Sequence, residues 1–227
     1  MDRRQPEHLT RRRALVWLAA TAGAAILNGY GGGEAREALV AEHTVTASVF
    51  WVGEKPSADN GSITNEETEW DKDPMARFGG VDTPGGRDFT PKHNPFYFAL
   101  PAMEFTENRP VPGAHEASPW AAEAGSLGEN KSLFKGRWVR MQHGEKVAYG
   151  QWLDTGPFVE DDYDYVFGDA EPSNTEGLGA GLDVSPDTAA YLGFEGSGEV
   201  TWSFVEADQV PEGPWQRYPV IDNQTHW

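Results

Sequence analysis

The sequence predicts a mainly β domain carrying long loops and one or two short helices. Three observations lead there. Helical periodicity is scarce after residue 44, short apolar or alternating runs recur in its place, and clusters of Gly, Pro, Asn and Asp separate those runs. The chain has 227 residues, 38% of them hydrophobic, with nine Trp. That is enough for one well-packed core and speaks against global disorder.

The elements follow in order. Residues 1–36 read as an address and tether rather than as part of the fold. Arg11, Arg12 and Arg13 precede the apolar run ALVWLAATAGAAIL at 14–27, which is short for a bilayer span but suits the apolar region of a secretory signal. The run TRRRAL at 10–15 resembles a twin-arginine export signal. The segment ILNGYGGG at 26–33 resembles a bacterial lipoprotein box with Tyr30 in the place of the lipidated cysteine. Without a thiol no lipid anchor is expected. The domain at 37–215 is therefore expected to be exported, periplasmic or extracellular, either released or held at the membrane by an uncleaved segment.

Within it, residues 44–53 (TVTASVFWVG) form a first strand, rich in β-branched and aromatic residues. Residues 96–101 (FYFALP) form a second. Residues 137–141 and 146–152 form a hairpin about the turn His143-Gly144-Glu145, and residues 200–205 (VTWSFV) form a last strand. A helix is expected at 185–192, because Ser185 can cap it, Pro186 suits its first turn and Gly193 ends it. Residues 56–95 and 105–135 read as loops, long enough to suggest function. Residues 216–227 read as a loosely packed tail.

Charge and composition exclude several classes. Thirty-six acidic residues against 18 basic ones give a formal charge of −18, which disfavours nucleic acid and anionic headgroups as partners. Residues 1–36 hold Arg3, Arg4, Arg11, Arg12, Arg13 and Arg36 against Asp2, Glu7 and Glu34, so the remainder is more acidic still. The absence of Cys removes disulfides, thiolate metal sites and a cysteine nucleophile. His43, His93, His115 and His143 lack metal-ligand spacing. The acidic run EDDYD at 160–164 lacks the glycine and terminal Glu of a calcium loop and reads as a solvated loop. No metal and no cofactor are predicted.

The informative stretch is 137–205. Its run QWLDTGPF at 151–158 resembles the Asp-Arg-Gly-Pro-Phe segment of the rare lipoprotein A family, and GLDVS at 181–185 is similar to the Ile-Asp-Leu-Ser that follows there. The helix ending in Tyr191-Leu192-Gly193 and the Leu100-Pro101 pair also have counterparts. The resemblance implies a six-stranded double-psi β-barrel, the fold of that family and of membrane-bound lytic transglycosylase A, family 45 endoglucanases and expansins. It further implies a groove flanked by Asp154 and Asp183, with peptidoglycan or another β-linked polysaccharide as partner. In the transglycosylases one such aspartate acts as acid and then as base. Protonating a glycosidic oxygen near neutral pH needs a carboxyl of raised pKa, which burial beside a second carboxylate provides. The pattern also departs from the family. Thr155 replaces the arginine, the link at 159–182 is longer, and the loop and strand that supply a Glu and a His have no counterpart. Where family 45 endoglucanases carry Tyr-Trp-Asp, this chain has Phe50-Trp51-Val52.

The candidate catalytic residues are thus Asp154 and Asp183, each with the alternative of bracing a turn. Candidate substrate-binding residues are Trp70, Asp71, Trp120, Thr155 and Gly156. Trp51, Trp138, Trp152 and Trp202 could also stack on sugar rings, but strand tryptophans belong more often to the core, so Trp70 and Trp120, in the loops, are the expected platforms. Glu69 and Asp71, flanking Trp70, offer another source of a carboxylate. The sequence therefore points to a glycan-cleaving, lytic transglycosylase-like enzyme. A non-catalytic glycan-binding or expansin-like module is the alternative, and an exported scaffold binding an envelope protein is a third reading.

Overall fold

Val45 and Ala47 begin the barrel core, one face of a strand whose other face carries Thr44, Thr46 and Ser48. That strand, β1 (His43–Val49), opens the computed structural model, which describes residues 41–57, 60 and 63–227. The segment expected to be an export signal, Tyr30 included, lies outside the described residues. There follow β2 (Tyr97–Leu100), the two-residue strands β3 (Phe105–Thr106) and β4 (Arg109–Pro110), β5 (Trp138–His143), β6 (Lys146–Thr155), β7 (Leu182–Val184) and β8 (Ser197–Val205). Six of these close a mixed barrel in the order β1-β7-β2-β6-β5-β8, and β3 pairs with β4 outside it. The pairs β1–β7 and β2–β6 are parallel, and the other four are antiparallel. The six-stranded barrel is the one expected.

Alternation decides what faces inward. Leu182 and Val184 enter the main core while Asp183 between them points out, and Phe98 and Leu100 enter while Tyr97 and Ala99 do not. At the centre, Trp152 stacks on Phe134 with ring centroids 5.2 Å apart, and Phe98 lies against the same indole. Tyr97 and Ala99 instead join Phe50, Val52 and Phe78 in a second cluster outside the barrel, under the loop at 56–95.

Helix α5 (Pro186–Leu192) has the caps the sequence predicts. Ser185 Oγ accepts from Thr188 N at 3.2 Å, and Gly193, at φ 91°, donates its N–H to Ala189 O at 2.8 Å. There are more helical turns than the one or two expected. Helices α1 (Pro74–Phe78), α2 (Ala114–Ala117), α3 (Ala121–Ala124) and α4 (Tyr163–Val166) are a single turn or little more, too short to show a period of 3.6 in sequence. The acidic run at 160–164, expected to be a solvated loop, exposes Glu160, Asp161 and Asp164, and helix α4 overlaps only its end. Tyr165 of that helix is buried, donating to Gly181 O and accepting from Trp202 Nε1, each at 2.9 Å.

Both expected platforms are core residues. Trp70 is 0% exposed and meets Trp152 edge-on at 6.0 Å, while its Nε1 donates to Glu104 Oε2 at 3.1 Å. Trp120 is 3% exposed, edge-on to Phe204 and covered by the Arg137 guanidinium 4.3 Å from its ring centroid. Neither offers a face to a sugar. The loops that carry them lie on the barrel as a second layer, and burying an indole there is worth about 2–3 kcal/mol. The expected loose tail is held down as well. His226 N donates to Trp70 O at 2.7 Å, Lys135 Nζ to Gln224 O at 2.5 Å, and Trp227 packs edge-on against Phe105.

Candidate functional site

Four adjacent strands bring one outward-facing residue each to the same level. Ser48 on β1 pairs with Asp183 on β7, Asp183 with Ala99 on β2, and Ala99 with Asp154 on β6. Neighbouring strands lie about 4.8 Å apart, so the two aspartate backbones stand roughly 10 Å apart across Ala99. A β-bulge sets this register. Phe98 pairs with Trp152 but Ala99 with Asp154, which leaves Leu153 as the extra residue. Strict alternation from the inward Trp152 would aim Asp154 into the barrel. The bulge turns it outward beside Leu153, which packs on the second cluster.

The two carboxyls differ in their surroundings. Asp154 is 6% exposed, and its Oδ1 accepts from Thr155 N at 2.9 Å and Glu69 N at 3.1 Å. Burial pushes its pKa up to about 7 against the pull of those two N–H groups, and the charge of Asp183 adds to the rise. Asp183 is half-buried and takes a hydrogen bond from the Ser48 hydroxyl. Burial again dominates, bringing its pKa to about 6; Ser48 opposes the rise and the Glu54 carboxylate supports it. A carboxyl that keeps its proton near neutrality can serve as a general acid.

Asp183 opens into a groove of about 400 Å³, whose walls include Ser48, Glu54, Asn65, Thr155, Gly156 and Phe158. Asp154 does not line it but sits behind Thr155, against a cavity of about 30 Å³ toward the second cluster. Gly156, at φ 138°, holds a conformation that side chains disfavour, and a Cβ there would lie 3.9 Å from Asp183 Oδ2. Thr155 and Gly156 both line this groove with Asp183. Asp71 does not. It is buried and receives two bonds from the Arg77 guanidinium, at 2.5 and 2.6 Å, so it braces helix α1 instead of meeting a ligand.

Four participants were not predicted in these roles. Glu54, two residues beyond the Val52 that departs from the endoglucanase pattern, is a groove carboxylate held by Asn60 Nδ2 at 3.0 Å and Asn65 Nδ2 at 2.9 Å. Phe158 is 42% exposed at the groove wall, and Leu178, 65% exposed, lines the same groove. The Phe158 ring lies over Gly177, where a Cβ would come within 3.1 Å of it. Glu69 is held well above the usual carboxylate range by burial, against bonds from the Thr155 hydroxyl and the N–H groups of Phe105 and Glu104. Thr155 thus ties Glu69 to the Asp154 turn. Position after the Gly156-Pro157 turn is the one sequence signal that marks Phe158; the partners of Glu54 and Glu69 leave none.

The groove residues include no Lys or Arg. Among the described residues no three His, Cys, Asp or Glu side chains gather in a way that could hold a metal ion.

No protein-family model and no curated protein matches the chain. Among solved structures it is similar to the Streptomyces papain inhibitor, at 14% identity over 73% of this chain and 96% of that one, with a TM-score of 0.32.

Proposed function

We propose that the protein engages a β-linked polysaccharide, with peptidoglycan the first choice for an exported domain, and cleaves it by acid–base catalysis at Asp183. The observation that carries this reading is a half-buried carboxyl facing an open groove lined by no Lys or Arg, its pKa raised by burial to about 6. In the reaction, Asp183 gives its proton to the glycosidic oxygen as the C1–O bond breaks and the bonding pair leaves with that oxygen. The resulting carboxylate then takes the proton of the attacking hydroxyl as the new C1–O bond forms. With the sugar's own 6-hydroxyl as attacker the product is a 1,6-anhydro end, and one carboxyl suffices. With water it is a reducing end, and Glu54 is the carboxylate placed in the same groove to assist.

Mass spectrometry of what the full chain releases from purified peptidoglycan tests this. Release of anhydro-ended or reducing-ended fragments is expected, declining as pH rises through about 6 while Asp183 loses its proton, and abolished in Asp183→Asn. No release by a folded wild-type protein overturns the catalytic reading. The position of Asp154 behind the groove, where it accepts two backbone N–H bonds, favours a binding module as the second reading. In that case the protein is retained by sacculi, releases nothing, and is insensitive to Asp183→Asn.

A further inference from the structure

Glu54 is a buried carboxylate that opens onto the groove with no cation beside it. It is 6% exposed and shares the groove wall with Asp183. Its oxygens accept from two neutral amides, Asn60 Nδ2 at 3.0 Å and Asn65 Nδ2 at 2.9 Å. Other buried carboxyls are answered inside the fold. Asp71 holds Arg77, Asp82 holds Arg87, and Glu104 is ringed by donors that include His115, while Asp154 lies behind the groove. Lys55, next in the chain after Glu54, is exposed and stays off the groove wall. A buried charge is ordinarily met by an opposite one. Here no Lys or Arg of the wall meets it, so the place for a counter-charge is the groove itself.

An independent feature stands beside it. Asn65 is 8% exposed and lines the same groove. Its bond to the Glu54 carboxylate fixes which end of the amide is Nδ2. The other end, Oδ1, accepts from no described residue and is not sealed from solvent. An acceptor so nearly buried costs free energy while it goes unanswered. Because one hydrogen bond joins Asn65 to Glu54, a single small group in the groove can reach both. An ammonium brings three donors and a full positive charge and satisfies both residues. A hydroxyl brings a donor without the charge, and a metal ion would find no set of three ligating side chains among the described residues. On a β-linked polysaccharide, the group with that chemistry is the free 2-amino group of a glucosamine-type ring. Phe158 and Leu178, exposed on the groove wall, offer apolar surface to the carbon face of such a ring.

We infer that Glu54 and Asn65 form a subsite for the protonated amine of a 2-amino sugar, so that the groove selects de-N-acetylated stretches of its polymer. The inference rests on the glycan reading proposed above and names the charge of the substrate and the residues that read it.

Calorimetric titration of the full-length Asp183→Asn variant, in which bound sugar is not cleaved, tests it. The probes are the hexasaccharides of β-1,4-linked glucosamine and of β-1,4-linked N-acetylglucosamine, at a mildly acidic pH where the free amine is protonated. The glucosamine hexasaccharide is expected to bind roughly tenfold more tightly. Adding Glu54→Gln should bring the two affinities within about twofold. The new Oε1 can still accept from Asn60, while the new Nε2 turns the Asn65 amide round, so the charge and both acceptors are lost together. Adding Glu176→Gln instead, on the same wall but exposed, should change the preference little. Raising the pH until the amine is neutral should remove the preference in the parent, and this arm decides alone if Glu54→Gln does not fold. The acetylated hexasaccharide corrects for any titration of the protein. Equal affinities, tighter binding of the acetylated sugar, or a preference that survives Glu54→Gln or neutralisation of the amine overturns the subsite and leaves the groove reading intact. Equal loss of preference in Glu176→Gln and Glu54→Gln assigns it to the acidity of the whole groove and also overturns the subsite. Failure of both sugars to bind overturns the subsite together with the glycan reading.

Discussion

Replacing Asp154 by Asn should stabilise the protein at neutral pH and leave it almost unchanged in acid. The folded carboxyl titrates at about 7, against an ordinary 3.8. Folding therefore raises its affinity for the proton, and the folded chain keeps that proton through a window in which the unfolded chain has released it. Across that window, from pH ~4 to pH ~7, stability falls as pH rises. Each tenfold difference in proton affinity is worth about 1.4 kcal/mol, so burying this carboxyl costs the folded state up to ~4 kcal/mol by pH ~8. Asparagine cannot ionise, and its Oδ1 can still accept from Glu69 N and Thr155 N, the two bonds that hold the turn. The assay is urea unfolding of both proteins at intervals from pH ~4 to pH ~8. Glu69, Asp82 and Asp183, also raised chiefly by burial, slope both curves and largely cancel in the difference. Variant minus wild type should rise from near zero to a few kcal/mol. A difference that stays flat with pH, or that rises toward acid, would refute the reasoning.

Glu104 is fully buried, with its carboxylate taking bonds from Trp70 Nε1, His115 Nε2, the Ser132 hydroxyl and Leu133 N. Glu104→Gln sets an amide N–H against donors and should cost about 3–5 kcal/mol in urea unfolding; a loss below ~1 kcal/mol would mean the cluster does not hold the loop. Trp70→Phe leaves Glu104 Oε2 short of one donor and opens a cavity, for about 2–4 kcal/mol. Glycan affinity should be unchanged in the folded fraction, and a specific loss of binding would restore Trp70 as a platform. Phe158→Ala should do the reverse, weakening glycan retention several-fold while moving the urea midpoint little, since the ring is 42% exposed; a large stability loss with intact binding would make Phe158 a purely structural residue.

Residues that speak through their neighbours in sequence were legible. Alternation at Val45 and Ala47 and in the hairpin about Gly144 marks strands the barrel uses, and Ser185, Pro186 and Gly193 state both ends of α5 in one nine-residue stretch. Asp183, between two apolar residues of a strand, could be read as outward-facing on the same ground. Misreadings arise where partners are distant. Trp70 and Trp120 sit in segments with loop composition, and only the folding of those segments onto Trp152 and Phe204 buries them. The sequence expects Asp154 on the groove, whereas the bulge at Leu153, which depends on pairing with β2 more than fifty residues earlier in the chain, sets it against the second cluster behind Thr155. Glu69 reaches Thr155 across 86 positions, a separation at which composition and spacing carry no signal.

Strand β7 is three residues long, yet it is gripped on both sides, parallel to β1 and antiparallel to β2. Its central residue is Asp183. The exposed stretch ahead of it, 175–178, can change length at a cost that grows only with the logarithm of the length, and the double clamp keeps such changes from displacing the aspartate. The groove's wall and its acid are therefore separable in descent. Phe158, Gly177 and Leu178 belong to the side that can vary to suit a new polymer, whereas Ser48, Ala99 and Asp183 must keep step together. A library randomised at the exposed positions Thr175, Glu176 and Leu178 should accordingly alter which polymer is held without disturbing the proton that Asp183 carries.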